Sequence, residues 1–305
     1  MPDVAVDGEM MSKLIHLLGV PSEVGAQNGT RPGPEVIHSP LMQSLIGAGF
    51  PCVYENVERY AQSSEIFHAK GWPRGRVHFQ KKVAEVAKLT ADQVFTSLLR
   101  SYVPVVLGGD HSIAIGSGRG ALLFALLREE TIGLLWIDGH YDAHTPATTR
   151  SGNANGMPFA TLLGHGSRLF RPMRWVEHGA GLRRATALSF RPDCTLHLGA
   201  GETNCEPEER ALLETLGVPM ISAKDFHQLN LVTPWTALTS FLNRVDRVWV
   251  SFDLDAADRK FAPGVHLQSD GGLSRSILLW LAGHVAISGK LLGADIMEYK
   301  PSAEE

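Results

Sequence analysis

A short segment near the middle of the chain, WIDGHYDAHT (residues 136–145), alternates acidic and imidazole side chains. Asp138, His140 and Asp142 occupy every second position, and His144 continues the spacing. In an extended backbone, alternate residues point to the same side. These side chains would then face a common point, and carboxylate oxygens and imidazole nitrogens are ligands for divalent metal ions.

Two further clusters of the same residue types follow other apolar segments, GGDHS with His111 and SFDLDAAD with Asp253 and Asp255. Four carboxylates brought together without a cation would repel one another and take up protons, whereas two divalent ions neutralise them. We therefore predict a binuclear metal site. Its ligands would be His111, Asp138, His140, Asp142, Asp253 and Asp255. This set has no thiolate, which favours two Mn²⁺ ions, although Ni²⁺, Co²⁺ and Fe²⁺ are also compatible with it.

The metal-ligand motifs follow short apolar segments that are predicted to be strands. These segments are residues 14–20, 104–110, 132–138, 195–201, 247–255 and 291–298. Their nearly continuous apolar character is typical of strands covered on both faces. Residues 77–100 and 118–130 have helical spacing, so the pattern predicts an α/β protein, a three-layer α/β/α fold with a central, mostly parallel sheet. Ligands bind beyond the carboxyl ends of such strands.

Composition narrows the class of protein. The chain has 305 residues and a net charge of −4, with no long basic run, so we expect no nucleic-acid partner. Its three cysteines form no C-x-x-C pair. Its first residues are acidic, whereas those of a signal peptide would be basic. The apolar segment 276–288 is too short to span a bilayer. We expect one cytoplasmic domain over residues 1–305, with residues 1–12 flexible and segment 168–192 a solvated excursion.

The three motifs, GGDHS, DGHYDAH and SFDLDAADRKFAPG, resemble in this order the signatures of the ureohydrolases. This binuclear-manganese family contains arginase, agmatinase, formiminoglutamase and guanidinobutyrase. The resemblance extends from GVPSEVGAQNGTRPGPEVI (residues 19–37) to ADIMEYKP (residues 294–301). It implies that one ion is held by His111, Asp138, Asp142 and Asp253. It implies that the other is held by His140, Asp138, Asp253 and Asp255, with Asp138 and Asp253 bridging.

The resemblance also implies a reaction. Two such ions can share a water and lower its pKa towards neutrality, and the resulting hydroxide would attack the guanidinium carbon of a small-molecule substrate. By resemblance, Glu298 pairs with the guanidinium, and Asp142 accepts a hydrogen bond from the hydroxide. A homo-oligomer, trimer or hexamer, is implied as well.

The loop RSGNANGMPF is similar to the S-G-N-x-H-G-M-P loop of arginases, which favours conversion of L-arginine and water into L-ornithine and urea. Ser151 would contact the substrate α-carboxylate, with Asn153 beside it. Three positions depart from the arginase pattern. Asn155 replaces the histidine that would deliver a proton to the leaving amine, and an amide cannot shuttle protons. His144 replaces an asparagine, and Asn204 replaces the aspartate that would bind the α-ammonium.

These departures leave alternatives open. The chain could act on another guanidino acid or on agmatine, or it could be a weakly active or non-catalytic arginase-like protein. His144 could supply the missing proton, or it could line the entrance and bind substrate. A binuclear phosphoesterase is disfavoured because the sequence has no G-N-H-[DE] motif.

Overall fold

The apolar segments of the sequence form one parallel sheet. The computed structural model describes residues 13–57, 77–170, 188–201, 205–227 and 231–302, so the predicted flexibility of residues 1–12 lies outside the described residues. The strands are β1 (Ile15–Val20), β2 (Cys52–Asn56), β3 (Val103–Gly108), β4 (Ile132–Ile137), β5 (Thr195–Leu198), β6 (Met220–Ile221), β7 (Arg247–Asp253) and β8 (Leu291–Met297). Their order is β2-β1-β3-β8-β7-β4-β5-β6, and each of these pairings is parallel.

Helices cover both faces of this sheet. They are α1 (Gly33–Gly47), α2 (Gln80–Leu99), α3 (Ala114–Arg128), α4 (Pro158–Leu162), α5 (Pro207–Leu216), α6 (Ala223–His227), α7 (Val232–Asn243) and α8 (Arg275–Ile287). Within the described ranges, none of them is long and apolar enough to cross a membrane.

Strand β4 shows why the three-layer prediction was correct. All six of its residues are buried. Leu134 and Trp136 belong to the apolar cluster that includes α2 and α3, whereas Leu135 and Ile137 belong to the cluster that includes α7 and α8. Alternate residues of a strand point to opposite faces, so both faces of β4 are covered by helices.

All six predicted strands are present, and the differences lie at the edges. The edge strands β2 and β6 were not predicted, since β2 is only half-buried and β6 has two residues. Helix α3 begins four residues before the predicted start at residue 118, after a 3₁₀ turn at His111–Ile113. The Asp110 carboxylate starts that turn by accepting a hydrogen bond from the backbone N–H of Ser112, 2.9 Å away.

The expectation of a solvated excursion at residues 168–192 is wrong at the two ends of that segment. Phe170 and Phe190 are both fully buried. Residues 171–187 lie outside the described residues. An aromatic side chain therefore anchors each described end of the segment in the core.

The sheet order brings four strand ends together at its centre. Strands β3, β8, β7 and β4 are consecutive neighbours. His111 follows β3, Glu298 follows β8 and Asp138 follows β4. Asp253 is the last residue of β7. Parallel strands have their carboxyl ends at one edge, so residues far apart in sequence meet there.

Candidate metal centre

Four of the six predicted metal ligands surround one point. The Nδ1 atom of His111 lies 3.2 Å from Asp138 Oδ2, 3.0 Å from Asp142 Oδ2 and 3.0 Å from Asp253 Oδ2. All four residues are buried, and their ligand atoms lie within 4.8 Å of one another. This group contains every residue predicted for the first ion.

A second group lies beside the first and shares Asp138 with it. It consists of Asp138, His140 and Asp255, again with ligand atoms within 4.8 Å of one another. His140 Nδ1 is 2.9 Å from Asp255 Oδ2 and 3.8 Å from Asp138 Oδ1. Asp253 was predicted to bridge both ions, but it belongs by this distance to the first group alone. Its second oxygen, Oδ1, accepts the backbone N–H of Asp255 at 2.8 Å.

The ligands converge through turns rather than through the extended backbone that their spacing suggested. Strand β4 ends at Ile137, and Asp142 has a left-handed backbone with φ of +48°. Likewise, β7 ends at Asp253, and Asp255 lies in a 3₁₀ turn, Leu254–Ala256. The sequence therefore identified ligand types and strand ends, but the assumption of a common face along a continuing strand was wrong.

The two glycines of GGDHS permit close packing. A Cβ atom at Gly108 would lie 2.0 Å from the sulfur of Met297, and one at Gly109 would lie 2.0 Å from the carbonyl oxygen of Ser22. Neither glycine has a positive φ. Their function is therefore to let β3 and the following turn approach β8 and the loop after β1, which brings His111 over the sheet.

A buried chain of hydrogen bonds fixes the orientation of His111. Its Nε2 lies 3.0 Å from Ser251 Oγ, and that hydroxyl donates to Asp295 Oδ1 at 2.6 Å. Trp249 Nε1 and Ser117 Oγ also donate to Asp295. Because the hydroxyl hydrogen of Ser251 goes to Asp295, its oxygen accepts the Nε2–H of His111. Nδ1 is then left facing the three carboxylates.

The cluster brings several carboxyl groups close together in a buried site. Burial raises the pKa of Asp142 to about 7, with Asp138 adding to the rise, and burial together with Asp255 raises the pKa of Asp253 well above its ordinary value. Burial opposes ionisation of Asp138 as well, but the neighbouring imidazoles of His111 and His140 outweigh it and lower the pKa of Asp138. Neighbouring carboxylates are therefore forced into unequal protonation.

The residues present fit two divalent cations. Among the residues that the structure describes, His111 Nδ1 is buried without a hydrogen-bond partner, although three carboxylate oxygens lie within about 3 Å of it. Such an arrangement requires either a proton or a metal cation between the nitrogen and the acids. An oxygen and imidazole ligand set suits Mn²⁺ and similar ions.

Glu298 forms the wall beside the first ligand group. It is buried, with a φ of +66°, and its Oε1 accepts the backbone N–H of His111 at 2.8 Å. Its Oε2 accepts from Asn28 Nδ2 at 2.5 Å. Burial, with the Asp110 charge nearby, raises the pKa of Glu298 to about 8. Asn28, whose loop was noted in the sequence without a role, holds this carboxylate in place.

A cleft of about 230 Å³ leads from the acidic cluster to the surface. Among the predicted substrate-binding residues, His144, Ser151, Asn155 and Glu298 line it. Asn153 is not among its lining residues; its backbone N–H donates to Ser151 Oγ at 3.2 Å. The prediction for Asn204 falls outside the described residues.

Sequence reasoning missed four titratable residues that line this cleft, Arg150, Glu206, Glu209 and His266. Glu206 and Glu209 form a capping box at the start of α5. His144 Nε2 lies 3.6 Å from a Glu209 oxygen and 3.7 Å from a Glu206 oxygen. The E-P-E-E sequence could have indicated a helix start, but not its position against the cleft.

Comparisons with known proteins agree with this geometry. The family model described as the Arginase family matches residues 13–305. The chain is 29% identical to an arginase of Eremothecium gossypii over 95% of this chain and 70% of the relative. It is 28% identical to arginase-1 of Homo sapiens over 95% and 86%, respectively.

Solved structures give the same picture. The crystal structure of an arginase from Bacillus subtilis superposes with a TM-score of 0.76 at 26% identity, covering 95% of this chain and 91% of that one. An agmatine ureohydrolase of Thermoplasma volcanium has a TM-score of 0.63 at 18% identity, covering 96% and 83%, which is a likeness of fold alone.

Proposed function

Because the chain belongs to the arginase family, whose fold is that of metal-dependent amidinohydrolases, we propose that it hydrolyses a guanidino compound at two Mn²⁺ ions. The favoured reaction converts L-arginine and water into L-ornithine and urea. The observation that supports this most strongly is the buried Nδ1 of His111, which lies among three carboxylates without a hydrogen-bond partner in the described part of the chain, at the inner end of a cleft that also contains Glu298.

The six predicted ligands would hold the two ions. His111, Asp138, Asp142 and Asp253 would hold one, and His140, Asp138 and Asp255 the other, with Asp253 as an additional bridge. When bound, the two ions would supply Lewis acidity and lower the pKa of a shared water towards about 7. The hydrogen-bond chain from His111 through Ser251 to Asp295 keeps Nδ1 directed at the three carboxylates, where an ion would be held.

The remaining residues orient the substrate. Glu298 presents a carboxylate to the cleft and pairs with the planar guanidinium, while Asn28 and the backbone N–H of His111 keep it from rotating. Asp142 accepts a hydrogen bond from the attacking water. Burial of the acids limits bulk solvent, which strengthens their interaction with a delocalised cation.

The mouth of the cleft favours an amino acid over a simple amine. Ser151 offers a hydroxyl and Arg150 a positive charge for an α-carboxylate. Glu206 offers a negative charge for an α-ammonium. The sequence predicted weaker binding of this ammonium, because Asn204 replaces the aspartate that would pair with it. Glu206 Oε2 is buried, has no hydrogen-bond partner within the described ranges and pairs with Arg150 Nε at 3.2 Å. A substrate with both charges can pair with both groups.

The leaving amine needs a proton, and Asn155 cannot supply it. His144 lines the same cleft, so we propose it as the donor, with entrance lining and substrate binding as its alternative function. Its Nδ1 lies 3.1 Å from Thr148 Oγ1, which orients the ring.

A panel of guanidino compounds with manganese supplied tests the proposed function. We expect urea from L-arginine, less from guanidino acids that lack the α-amino group, and least from agmatine, which lacks the carboxylate. Preferential turnover of agmatine would contradict the use proposed for Ser151 and Arg150. No urea from any member by a protein that holds two ions would contradict hydrolysis itself.

A further inference from the structure

One fully buried histidine close to the metal centre has no part in the proposed reaction. His197 lies on β5 beside Trp136 of β4. Its ring packs edge-on against Tyr141, with ring centroids 5.2 Å apart, and against Phe159 at 5.6 Å. This environment is aromatic and fully buried, which is unfavourable for a polar ring.

The side chain of His197 makes one hydrogen bond among the described residues, and it goes to a proposed metal-ligand residue. Its Nε2 lies 2.7 Å from the backbone carbonyl oxygen of His140. A carbonyl can only accept, so Nε2 carries the hydrogen and Nδ1 is a bare acceptor. Nδ1 is buried and has no partner among the described residues. An unsatisfied buried acceptor is destabilising, and phenylalanine at this position would avoid that cost.

The carbonyl that His197 holds belongs to a strained loop. The loop from Asp138 to Asp142 carries three of the proposed ligands and ends in the left-handed backbone of Asp142. A non-glycine residue keeps such a conformation only where its surroundings impose it. The backbone N–H of Gly201 donates to Gly139 O at 2.9 Å, and that of Phe159 donates to Asp142 O at 3.0 Å.

These contacts hold the two ends of the loop, and His197 holds its middle. The peptide group that follows His140 is fixed by the Nε2–H of His197, and the rotation of this peptide sets the direction of the His140 side chain. His140 belongs only to the second ligand group, where its Nδ1 lies 2.9 Å from Asp255. Displacement of this peptide would therefore affect the second group more than the first.

We propose that His197 is a positioning residue for the second metal ion, acting through its hydrogen bond to the carbonyl of His140. This inference rests on the proposed two-ion centre. Outer groups that orient metal ligands typically contribute about 10–100-fold to metal affinity. Removal of the His197 donor should cost the second ion about that much and leave the first ion nearly unaffected.

The test compares variants by equilibrium dialysis of chelator-treated protein against graded Mn²⁺, with bound metal measured by elemental analysis. His197→Phe fills the same space and removes the donor. His197→Gln keeps an amide donor near the position of Nε2. His197→Asn places its amide near the position of Nδ1, too short to reach the carbonyl. Circular dichroism and thermal unfolding of the metal-free proteins establish that each variant folds.

His16→Phe is the matched control. His16 is also a buried histidine on a strand, and its Nδ1 lies 2.8 Å from Ser97 Oγ. It is the second residue of β1, at the opposite end of the sheet from the metal centre. His16→Phe should lower the unfolding temperature without changing the affinity for either ion.

We expect His197→Phe and His197→Asn to bind one ion normally and the other about 10–100-fold more weakly, and His197→Gln to recover most of that loss. If His197→Phe does not fold, the Asn and Gln pair decides. Normal binding of two ions by His197→Asn, or equal loss in His16→Phe, would overturn the inference alone. Fewer than two ions in the wild-type protein would overturn the two-ion centre and this inference with it.

Discussion

The inner end of the cleft and its mouth are built in different ways. At the inner end, Asp138, Asp253 and His111 are buried at the carboxyl ends of central strands. At the mouth, His144 and Glu206 are partly exposed and Arg150 is exposed, on loops and a helix start. The inner residues match the ureohydrolase signatures, and the departures from the arginase pattern, Asn155 and His144, lie at the mouth. Under the proposed function, the metal ligands lie at and just after the strand ends, and the groups that would select the substrate lie on loops and a helix start.

The largest effect should come from the inner end. Asp138 belongs to both ligand groups, so Asp138→Ala should remove both ions. A single preorganised electrostatic donor is worth about 10²–10³-fold in rate, so loss of two ions should cost more than about 10³-fold. Elemental analysis and urea release measure the two effects.

Asp255→Ala is the matched variant, because Asp255 belongs to the second group only. It should weaken one ion preferentially. Two equivalents of metal retained by Asp138→Ala would show that Asp138 does not bridge.

His144→Ala tests how far the mouth takes part in the chemistry. If His144 delivers the proton, kcat should fall by about 10²–10⁴-fold with a much smaller change in KM. Asn155→His in the His144→Ala background should then restore part of the rate. Steady-state kinetics with L-arginine separate the two parameters. An unchanged kcat with a raised KM would place His144 in substrate binding and leave water as the proton source.

Glu206→Gln tests charge recognition at the mouth. A charge-assisted hydrogen bond contributes about 1.5–3 kcal/mol, so KM for L-arginine should rise about tenfold or more while kcat changes little. Glu208→Gln is the control. Glu208 is exposed in the first turn of the same helix and is not among the residues that line the cleft. Like Glu206, it pairs with Arg150, at 3.4 Å. Equal effects of the two substitutions would exclude a specific function for Glu206.

The smallest effect is the pH dependence of the metal-free protein. Burial raises the pKa of Asp142 to about 7 and of Glu298 to about 8. The folded protein then binds more protons at these groups than the unfolded chain does, so its stability should fall as pH rises from about 4 to about 8. Carboxylate neighbours raise the pKa of His111 and of His140 despite their burial. These two groups therefore also lower the stability of the folded protein as pH rises above their ordinary pKa.

Thermal unfolding with chelator at pH 5.5 and pH 8.5 measures this effect, and we expect a lower midpoint, by several degrees, at pH 8.5. Mn²⁺-loaded protein is the control and should lose less, since cations stabilise the ionised carboxylates. A higher midpoint at pH 8.5 in the metal-free protein would contradict the excess of buried acids.

The same contrast explains how much could be predicted from the sequence. Apolar segments followed by Asp and His gave the parallel sheet and every residue of both ligand groups, because strand ends of a parallel sheet meet at one edge. The left-handed turn at Asp142 was not predictable, since it depends on hydrogen bonds from other elements such as the N–H of Phe159 to its carbonyl. Glu206 was missed because its position depends on how α5 packs.

The most direct test of the two-ion hydrolase is the dependence of urea release on bound manganese. Chelator-treated protein is titrated with Mn²⁺ while bound metal and urea formation from L-arginine are measured in the same samples. We expect negligible activity without metal and a maximum when two ions are bound per chain. Full activity in the metal-free protein, or no urea from a protein that holds two ions, would contradict the account.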